Sequence, residues 1–299
     1  MNREIIVFLK MNDVEYKENL KLSKISPIKI GGAADVVVYP RGEEELVKLV
    51  GFLDKSIKPY KILGRMSNVL PPDEKYGGTL IRTDHINNYS FKENVLEVGV
   101  GASMPTIAKI LCERGLSGFE GLSGIPGSIG GAIVGNAGAF GREISDLVID
   151  VKIYDLEAKK TNHLSADQCG FSYRDSYFKQ RPWIVLSARL KLSESDTFAV
   201  ASETNRIRQI RKNTQPTDKP SLGSTFKRPT ENISAAWLID QCGLKGFSVG
   251  VAAISKKHAG FIINNGGATA ADYLQLSEYV AQCVYERFKI KLCREIEIM

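Results

Sequence analysis

Residues 121–141 read GLSGIPGSIGGAIVGNAGAFG, and this stretch constrains the fold more strongly than any other part of the chain. It is rich in glycine and contains no carboxylate that would repel an anion. Backbone N–H groups that glycine leaves uncovered can bind the oxygens of a phosphate. The composition therefore favours either a pyrophosphate-binding loop or a set of tight turns that serve packing alone, and it does not separate the two.

The commoner phosphate-binding and membrane motifs are excluded for this stretch. No Gly-Lys-Ser/Thr follows it, so it is not a P-loop, and no G-x-G-x-x-G lies directly between a strand and a helix. The stretch is uncharged and long enough to cross a bilayer. Gly, Ser, Pro and Asn crowd it where a membrane helix would carry Leu and Ile, so we predict no membrane span.

Two other segments carry chemical signals. Residues 63–70 (LGRMSNVL) follow a predicted strand and combine a flexible glycine with Ser and Asn hydrogen-bonding groups. Residues 220–229 (PSLGSTFKRP) place Ser224 among hydroxyls and two cations. No adjacent His or Asp is available to activate Ser224 as a nucleophile, but a serine that donates a proton needs no such triad. The alternative for this segment is an ordinary surface turn.

Hydrophobic patterning predicts an α+β fold. An acidic first turn and one apolar face predict a helix over 43–54, and a second helix follows Ser103 and stops at Gly115. Alternation of apolar and polar residues predicts a half-exposed strand over 149–154. Thr269 opens a long helix with a capping box. We predict that the chain finishes in a strand over 289–298.

Composition narrows the class of partner. The 299 residues are 43% hydrophobic and carry a formal net charge of +6, which mildly favours an anionic ligand. There is no basic tail or low-complexity block, so we expect no nucleic-acid partner. The 5 cysteines and 3 histidines are scattered without metal-ligand spacing, so no metal is expected. Residues 1–10 lack a signal-peptide core, and we expect a cytoplasmic protein.

Taken in order, several segments resemble one enzyme family. The matching segments are Ile30–Asp35, Gly64–Leu70, Gly124–Gly131 with Asn136–Gly138, Tyr173–Ser176, Gly223–Lys227, Lys257–Ala259 and Arg294–Ile296. This series resembles the UDP-N-acetylenolpyruvoylglucosamine reductase family of peptidoglycan synthesis, commonly called MurB. The short path from Arg174 to Pro182 is similar to the compact branch of that family, which lacks an inserted tyrosine-bearing substrate loop.

The resemblance implies a fold and a reaction. It implies an FAD-binding half of the vanillyl-alcohol-oxidase/PCMH-like type in two subdomains, 1–82 and 83–196, followed by a smaller α+β substrate-binding domain, 197–299. FAD would be bound non-covalently and reduced by NADPH. The hydride would then pass from flavin N5 to the enolpyruvyl group of UDP-N-acetylglucosamine enolpyruvate, giving UDP-N-acetylmuramate. The UDP-sugar would be the partner, and the protein would be a monomer or a weak oligomer.

The resemblance also assigns residues. It makes Ser224 the proton donor and gives Arg174 and Glu295 the stabilisation of the enolate. The residues that would bind FAD are Leu63, Gly64, Arg65, Met66, Ser67, Asn68, Val69, Leu70, Gly124, Ile125, Pro126, Gly127, Ser128, Gly130, Gly131, Asn136, Ala137 and Gly138. Those that would contact the substrate are Tyr173, Lys227, Arg228 and His258.

Three departures from the family pattern and two rival functions stay open. Met66 stands where the family usually has a glycine, Arg228 stands where Asn is frequent, and Ser26-Pro27 replaces the usual Thr-containing approach to the first Gly-Gly. One rival is another FAD oxidoreductase of the same fold, although neither FAD loop holds a His or Cys for a covalent flavin. The other is a nucleotide-binding protein without catalysis, against which the presence of Arg174, Ser224 and Glu295 argues.

Overall fold

The computed structural model describes residues 3–56 and 59–299. The predicted FAD-binding subdomain 1–82 and the segment 1–10, which lacks a signal-peptide core, each include residues that lie outside the described ranges. The helices are α1 Arg3–Met11, α2 Glu43–Lys55, α3 Met104–Arg114, α4 Ile129–Val134, α5 Thr197–Thr214, α6 Ala235–Gln241 and α7 Ala270–Phe288.

The strands are short and distributed along the chain. They are β1 Glu15–Lys21, β2 Ala33–Tyr39, β3 Tyr60–Leu63, β4 Val69–Leu70, β5 Tyr76–Arg82, β6 Tyr89–Lys92, β7 Val95–Gly99, β8 Leu116–Ser117, β9 Gly138–Ala139, β10 Arg142–Glu143, β11 Val148–Asp155, β12 Lys160–Ser165, β13 Trp183–Lys191, β14 Ser193–Glu194, β15 Ser221–Ser224, β16 Ser248–Val249, β17 Ala252–Ile254, β18 Phe261–Asn264 and β19 Glu297–Ile298.

Local sequence chemistry accounts for the best-defined elements. The helix α2 carries three glutamates in its first turn, which favour the positive end of the helix dipole, and it buries Leu46, Leu49, Val50 and Leu53 on one face. The helix α3 begins after Ser103 and ends at Arg114, as predicted. The capping box of α7 is also confirmed, because Thr269 Oγ1 accepts from Asp272 N while Asp272 accepts from Thr269 N.

The chain forms two compact units that are discontinuous in sequence. The first consists of Met1–Lys17, Val36–Arg65 and Gly78–Ile210, and the second of Glu18–Asp35, Met66–Gly77 and Arg211–Met299. The partition into 1–82, 83–196 and 197–299 cuts the chain at other points and stays a prediction.

The first unit is built on the five-stranded sheet β12-β11-β13-β7-β6, whose neighbours all pair antiparallel. The predicted strand over 149–154 is confirmed as part of β11, which buries Val151 and Ile153, but Asp150 is buried as well and interrupts the predicted alternation. Another sheet has the order β1-β2-β5-β3, in which β3 runs parallel to β5. Apolar residues of these strands and of α2, α3 and α4 form one continuous core.

The second unit is built on the four-stranded sheet β15-β18-β17-β16, and α6 and α7 contribute to the same core. Tyr273, Leu276, Val280 and Val284 lie on the buried face of α7. Asp73 reaches the start of α7, where its carboxylate accepts from Ala270 N at 2.7 Å and Ala271 N at 3.0 Å. A carboxylate at this end of a helix satisfies otherwise unpaired N–H groups.

The predicted final strand over 289–298 is wrong for most of its length. Lys289 has a left-handed φ of 58° and ends α7, and only Glu297–Ile298 is a strand, which pairs parallel with β4. The intervening residues bond to another loop instead, because Lys227 N donates to Cys293 O and Glu295 N donates to Thr225 O, each at 2.9 Å. Apolar alternation predicted extended backbone but not this change of partner.

Candidate active site

The glycine-rich stretch folds tightly against its own unit. Ser128 caps α4 by accepting from Gly131 N, while Ile129 N donates to Ala102 O at 2.9 Å and Gly130 N donates to Val100 O at 2.8 Å. A Cβ added at Gly130 would lie 2.0 Å from Val100 Cγ2. At residues 129–131 the N–H groups are therefore used within the protein, and the packing interpretation applies there.

The two loops predicted to bind FAD approach each other. A Cβ added at Gly64 would lie 2.3 Å from Ser128 Oγ, so glycine permits this approach. Thr83 N donates to Leu63 O, and Ser123 directly precedes Gly124. The hydroxyls of Thr83 and Ser123 are buried and have no hydrogen-bond partner within the described residues. Because buried hydroxyls are rarely left unpaired, polar groups at the border of both loops fit a polar ligand such as FAD.

Met66, which the resemblance places where a glycine is usual, adopts a glycine-like backbone. Its φ is 57°, in the left-handed region, and its side chain is 3% exposed. This conformation costs a non-glycine residue about 1–2 kcal/mol. Burial of the thioether side chain offsets that cost. Two residues later, Asn68 Nδ2 donates to Glu295 O at 3.0 Å.

Arg174 lies in a tight turn beside residues 136–138, which are predicted to bind FAD. Ser172 and Asp175 close the turn with reciprocal backbone hydrogen bonds, and Arg174 has a φ of 56°. Its guanidinium donates to Gly138 O at 2.5 Å and to Asn136 O at 3.4 Å. The structure thus brings a predicted catalytic arginine together with two predicted FAD residues in the first unit.

Two neighbours fix the arginine turn. Glu143 lies 3.8 Å from Arg174 Nη1 and accepts from Asn136 Nδ2 at 2.8 Å. The same Asn136 amide also donates to Ser172 O at 3.0 Å. The ring of Tyr173 lies 5.2 Å from the Arg174 guanidinium and is 38% exposed, so it remains accessible to a ligand. Sequence reasoning missed Glu143, which carried no motif of its own.

The chain segments that carry Ser224 and Glu295 are hydrogen-bonded to each other in the second unit. Ser224 ends β15 and pairs with Phe261 of β18, after an irregular register between Ser221 and Ser224 that includes Gly223. A bulge of this kind re-aims the side chain next to it. Glu295 N donates to the carbonyl of Thr225, the residue after Ser224, at 2.9 Å. Both Ser224 and Glu295 are half-buried.

Thr225 and Tyr273 form a buried pair that sequence reasoning also missed. Thr225 Oγ1 and Tyr273 Oη lie 3.0 Å apart, and both residues are at most 1% exposed. Burial raises the pKa of Tyr273, so its phenol stays neutral. The apolar pattern of α7 correctly predicted that Tyr273 is buried but gave no sign of the hydroxyl partner.

The remaining predicted substrate contacts also lie in the second unit, except Tyr173. Lys227 follows β15 and bonds through its N–H to Cys293 O at 2.9 Å, with Arg228 next to it. His258 Nδ1 accepts from Gly260 N at 3.2 Å, and its ring packs edge-on against Phe261 at 4.8 Å. An accepting Nδ1 requires the proton of the neutral ring to be on Nε2.

We expect His258 to titrate below its ordinary pKa. Burial lowers the pKa of His258 below 6.5, and Lys245 lowers it further. The unfolded chain therefore binds more protons as the pH falls, and the stability that neutral His258 contributes is present above about pH 6.5 and lost as pH falls through the folded pKa. An NMR titration should give a midpoint below 6.5 and the Nε2–H tautomer. The His258→Gln variant should show a shallower loss of stability on acidification, and a midpoint at or above 6.5 would contradict the expectation.

Among residues 3–56 and 59–299, no group of three or more His, Cys, Asp or Glu side chains is arranged to hold a metal ion. No helix in the described part of the chain combines the length and the apolar character of a membrane span.

Comparisons with known proteins assign the family. Residues 34–159 match the model of an FAD binding domain, and residues 215–299 match that of the UDP-N-acetylenolpyruvoylglucosamine reductase C-terminal domain. A UDP-N-acetylenolpyruvoylglucosamine reductase of Caldanaerobacter subterraneus is 40% identical over 281 residues, 94% of this chain and 92% of the relative. The chain belongs to this reductase family, MurB.

Other MurB proteins agree with this assignment along the whole chain. A UDP-N-acetylenolpyruvoylglucosamine reductase of Streptococcus pneumoniae is 36% identical over 299 residues, covering 100% of this chain and 98% of the relative. The crystal structure of MurB from Thermus caldophilus superposes with a TM-score of 0.81 at 33% identity, covering 95% of this chain and 98% of that one.

The comparisons confirm the resemblance to MurB and the predicted fold class, an α+β chain with an FAD-binding half. They also confirm the class of activity. The protein is an oxidoreductase with FAD as cofactor and NADPH as reductant.

Proposed function

We propose that this protein reduces the enolpyruvyl double bond of UDP-N-acetylglucosamine enolpyruvate and yields UDP-N-acetylmuramate for peptidoglycan synthesis. The relatives that support the proposal are UDP-N-acetylenolpyruvoylglucosamine reductases. The observation that carries it is the 2.9 Å hydrogen bond from Glu295 N to Thr225 O, because it sets Glu295 beside the segment that bears Ser224. We further propose that the protein acts in the cytoplasm as a monomer or weak oligomer.

The residues proposed to hold FAD are those of the two adjoining loops, 63–70 and 124–131, with 136–138. When bound, FAD supplies the hydride, derived from NADPH, that adds to the enolpyruvyl double bond. Gly64 supports the assignment because a side chain there would collide with Ser128, so glycine allows the two loops to lie close together. The unpaired hydroxyls of Thr83 and Ser123 support it because they offer donors at the border of the loops.

Ser224 would act as a general acid and deliver a proton to the enolate carbon. A serine hydroxyl can do this without a triad, since it need only be placed within hydrogen-bond reach of the carbon that accepts the proton. The irregular register between Ser221 and Ser224 supports the role, because an extra residue at this point changes the direction of the side chain that follows it.

Arg174 would stabilise the negative charge that develops on the substrate. A guanidinium carries five N–H donors, and two hydrogen bonds to Gly138 O and Asn136 O fix its orientation in advance. A donor that is already oriented needs no reorganisation when charge appears on the enolate and its carboxylate. Glu295 would stabilise the same charge in its protonated form, as a hydrogen-bond donor.

The UDP-sugar would be held by groups that suit a diphosphate. Lys227 and Arg228 supply positive charge, and neutral His258 supplies an Nε2–H donor. Tyr173 supplies an exposed aromatic ring beside Arg174. These four residues are proposed substrate contacts. We also propose the division into two FAD-binding parts, 1–82 and 83–196, and a substrate-binding part, 197–299.

A flavin absorption experiment tests the whole proposal. The purified protein should be yellow, anaerobic NADPH should bleach it, and the enolpyruvyl UDP-sugar should restore the colour without oxygen. Recovery of colour only on admission of oxygen would overturn the proposed substrate and favour another oxidoreductase of the same fold. A protein that stays colourless with added FAD would exclude both.

A further inference from the structure

The two chain segments that carry Ser224 and Glu295 both form hydrogen bonds with one face of α7. Tyr273 and Ser277 lie four residues apart on this helix, so their side chains point the same way, and both are 0% exposed. Tyr273 Oη lies 3.0 Å from Thr225 Oγ1, next to Ser224 in sequence. Ser277 Oγ accepts from Arg294 Nε at 2.9 Å, next to Glu295 in sequence.

Thr225 is the point at which these contacts meet. Its N–H donates to Gly260 O at 2.8 Å, its carbonyl accepts from Glu295 N at 2.9 Å, and its hydroxyl contacts Tyr273. Every backbone and side-chain polar group of Thr225 thus joins a different part of the second unit. Because Thr225 is 1% exposed, water does not replace a lost partner.

The Ser277 contact differs in strength from the exposed ion pair beside it. Ser277 Oγ donates to Leu274 O at 2.8 Å while it accepts from Arg294, so both roles of the hydroxyl are used. Arg294 also reaches Glu278, at 3.0 Å, but that glutamate is 71% exposed. Exposed ion pairs contribute little, so the buried serine contact holds the arginine in place.

We propose that Tyr273 and Ser277 are positioning residues that set the placement of Ser224 relative to Glu295 through Thr225 and Arg294. The inference rests on the proposed function, because it concerns the same two groups. Neither hydroxyl touches the reacting atoms. Their effect is on the geometry of proton donation, which is sensitive to small displacements, since a misplacement of about 1 Å can cost about 100-fold in rate.

The test measures the two half-reactions separately in the full-length flavoprotein. In Tyr273→Phe, flavin reduction by NADPH should stay within about twofold of wild type, and reoxidation by the enolpyruvyl UDP-sugar should slow by about 10- to 100-fold. Thr225→Val should behave alike, because it removes the other partner of the same hydrogen bond, whereas Thr225→Ser keeps the hydroxyl and should recover most of the rate. Ser277→Ala should also slow only the second half-reaction.

Tyr285→Phe is the matched control on α7. Tyr285 is 40% exposed, so loss of its hydroxyl should change neither half-reaction. Unchanged reoxidation in Tyr273→Phe would overturn the role of Tyr273, and the same result in Ser277→Ala would overturn that of Ser277. An equal loss of both half-reactions would overturn the proposal by showing a general structural role.

Two further outcomes keep this inference separate from the proposed function. If Tyr273→Phe fails to fold, the comparison of Thr225→Ser with Thr225→Val decides the question, because equal rates in those two variants would overturn it. If wild type is not reoxidised by the UDP-sugar, the proposed function itself fails. If the UDP-sugar reoxidises wild type and the α7 variants at the same rate, the proposed function stands and the positioning role is overturned.

Discussion

Ser224→Ala is expected to lose turnover of the enolpyruvyl UDP-sugar by about 10²- to 10⁴-fold, the usual contribution of a general acid. The reason is that alanine keeps the backbone of β15 but removes the proton donor. Reduction by NADPH should be unchanged, because that step takes no proton from Ser224. Stopped-flow absorbance of the flavin, first with NADPH and then with the UDP-sugar, measures both steps in one preparation.

The matched control for this variant is Ser221→Ala. Ser221 lies in the same strand and is also half-buried, and its partner is Ile263. It should therefore reproduce any general effect of losing a hydroxyl from β15 without the loss of proton donation. Normal turnover in Ser224→Ala would remove this serine from the mechanism, whatever the control shows.

Arg174→Lys should lower turnover by about 100-fold and also weaken the binding of FAD. Lysine keeps the charge but loses the planar fork, and one lost donor to a developing anion costs about 10²- to 10³-fold. The effect on FAD follows from the loop itself, because Gly138 O and Asn136 O would lose the donors that now hold them. Turnover at saturating FAD and the dissociation constant of FAD measure the two effects independently.

Arg142→Lys is the corresponding control. Arg142 pairs with Ala139 in the short β9-β10 ladder, and its guanidinium lies near the exposed Asp146. We expect both turnover and FAD affinity to stay within about twofold, as for most exposed ion pairs. Full activity of Arg174→Lys at saturating FAD would exclude a role of Arg174 in stabilising the enolate. Its role would then be limited to holding residues 136–138.

The elements that sequence predicted well are those specified by neighbouring residues. The glutamates at the start of α2 and the Thr269 capping box act within one helical turn, so the pattern contains the whole cause. The MurB resemblance predicts roles for Ser224 and Glu295 because each lies in a short motif, and these roles stay predictions. Their proximity through Thr225 is a structural result that the motifs did not contain.

The parts that sequence could not predict depend on long-range contacts. The hydrogen bond between Asn68 and Glu295 joins positions 227 apart, and no local signal marks it. The same applies to the segment Met66–Gly77, which belongs to the second unit although its neighbours on both sides belong to the first. Gly130 is a further case, since its N–H donates to the carbonyl of Val100, a residue that follows β7 and is distant in sequence.

The pairing of β19 with β4 has a consequence for biosynthesis. Val69 and Leu70 acquire their parallel partner only from Glu297 and Ile298, and Met299 N donates to Leu70 O. A ribosome-bound chain that ends before these residues cannot complete the loop 63–70. Val69 and Leu70 therefore reach their paired form only after residues 297–299 have been synthesised, although they are translated long before them.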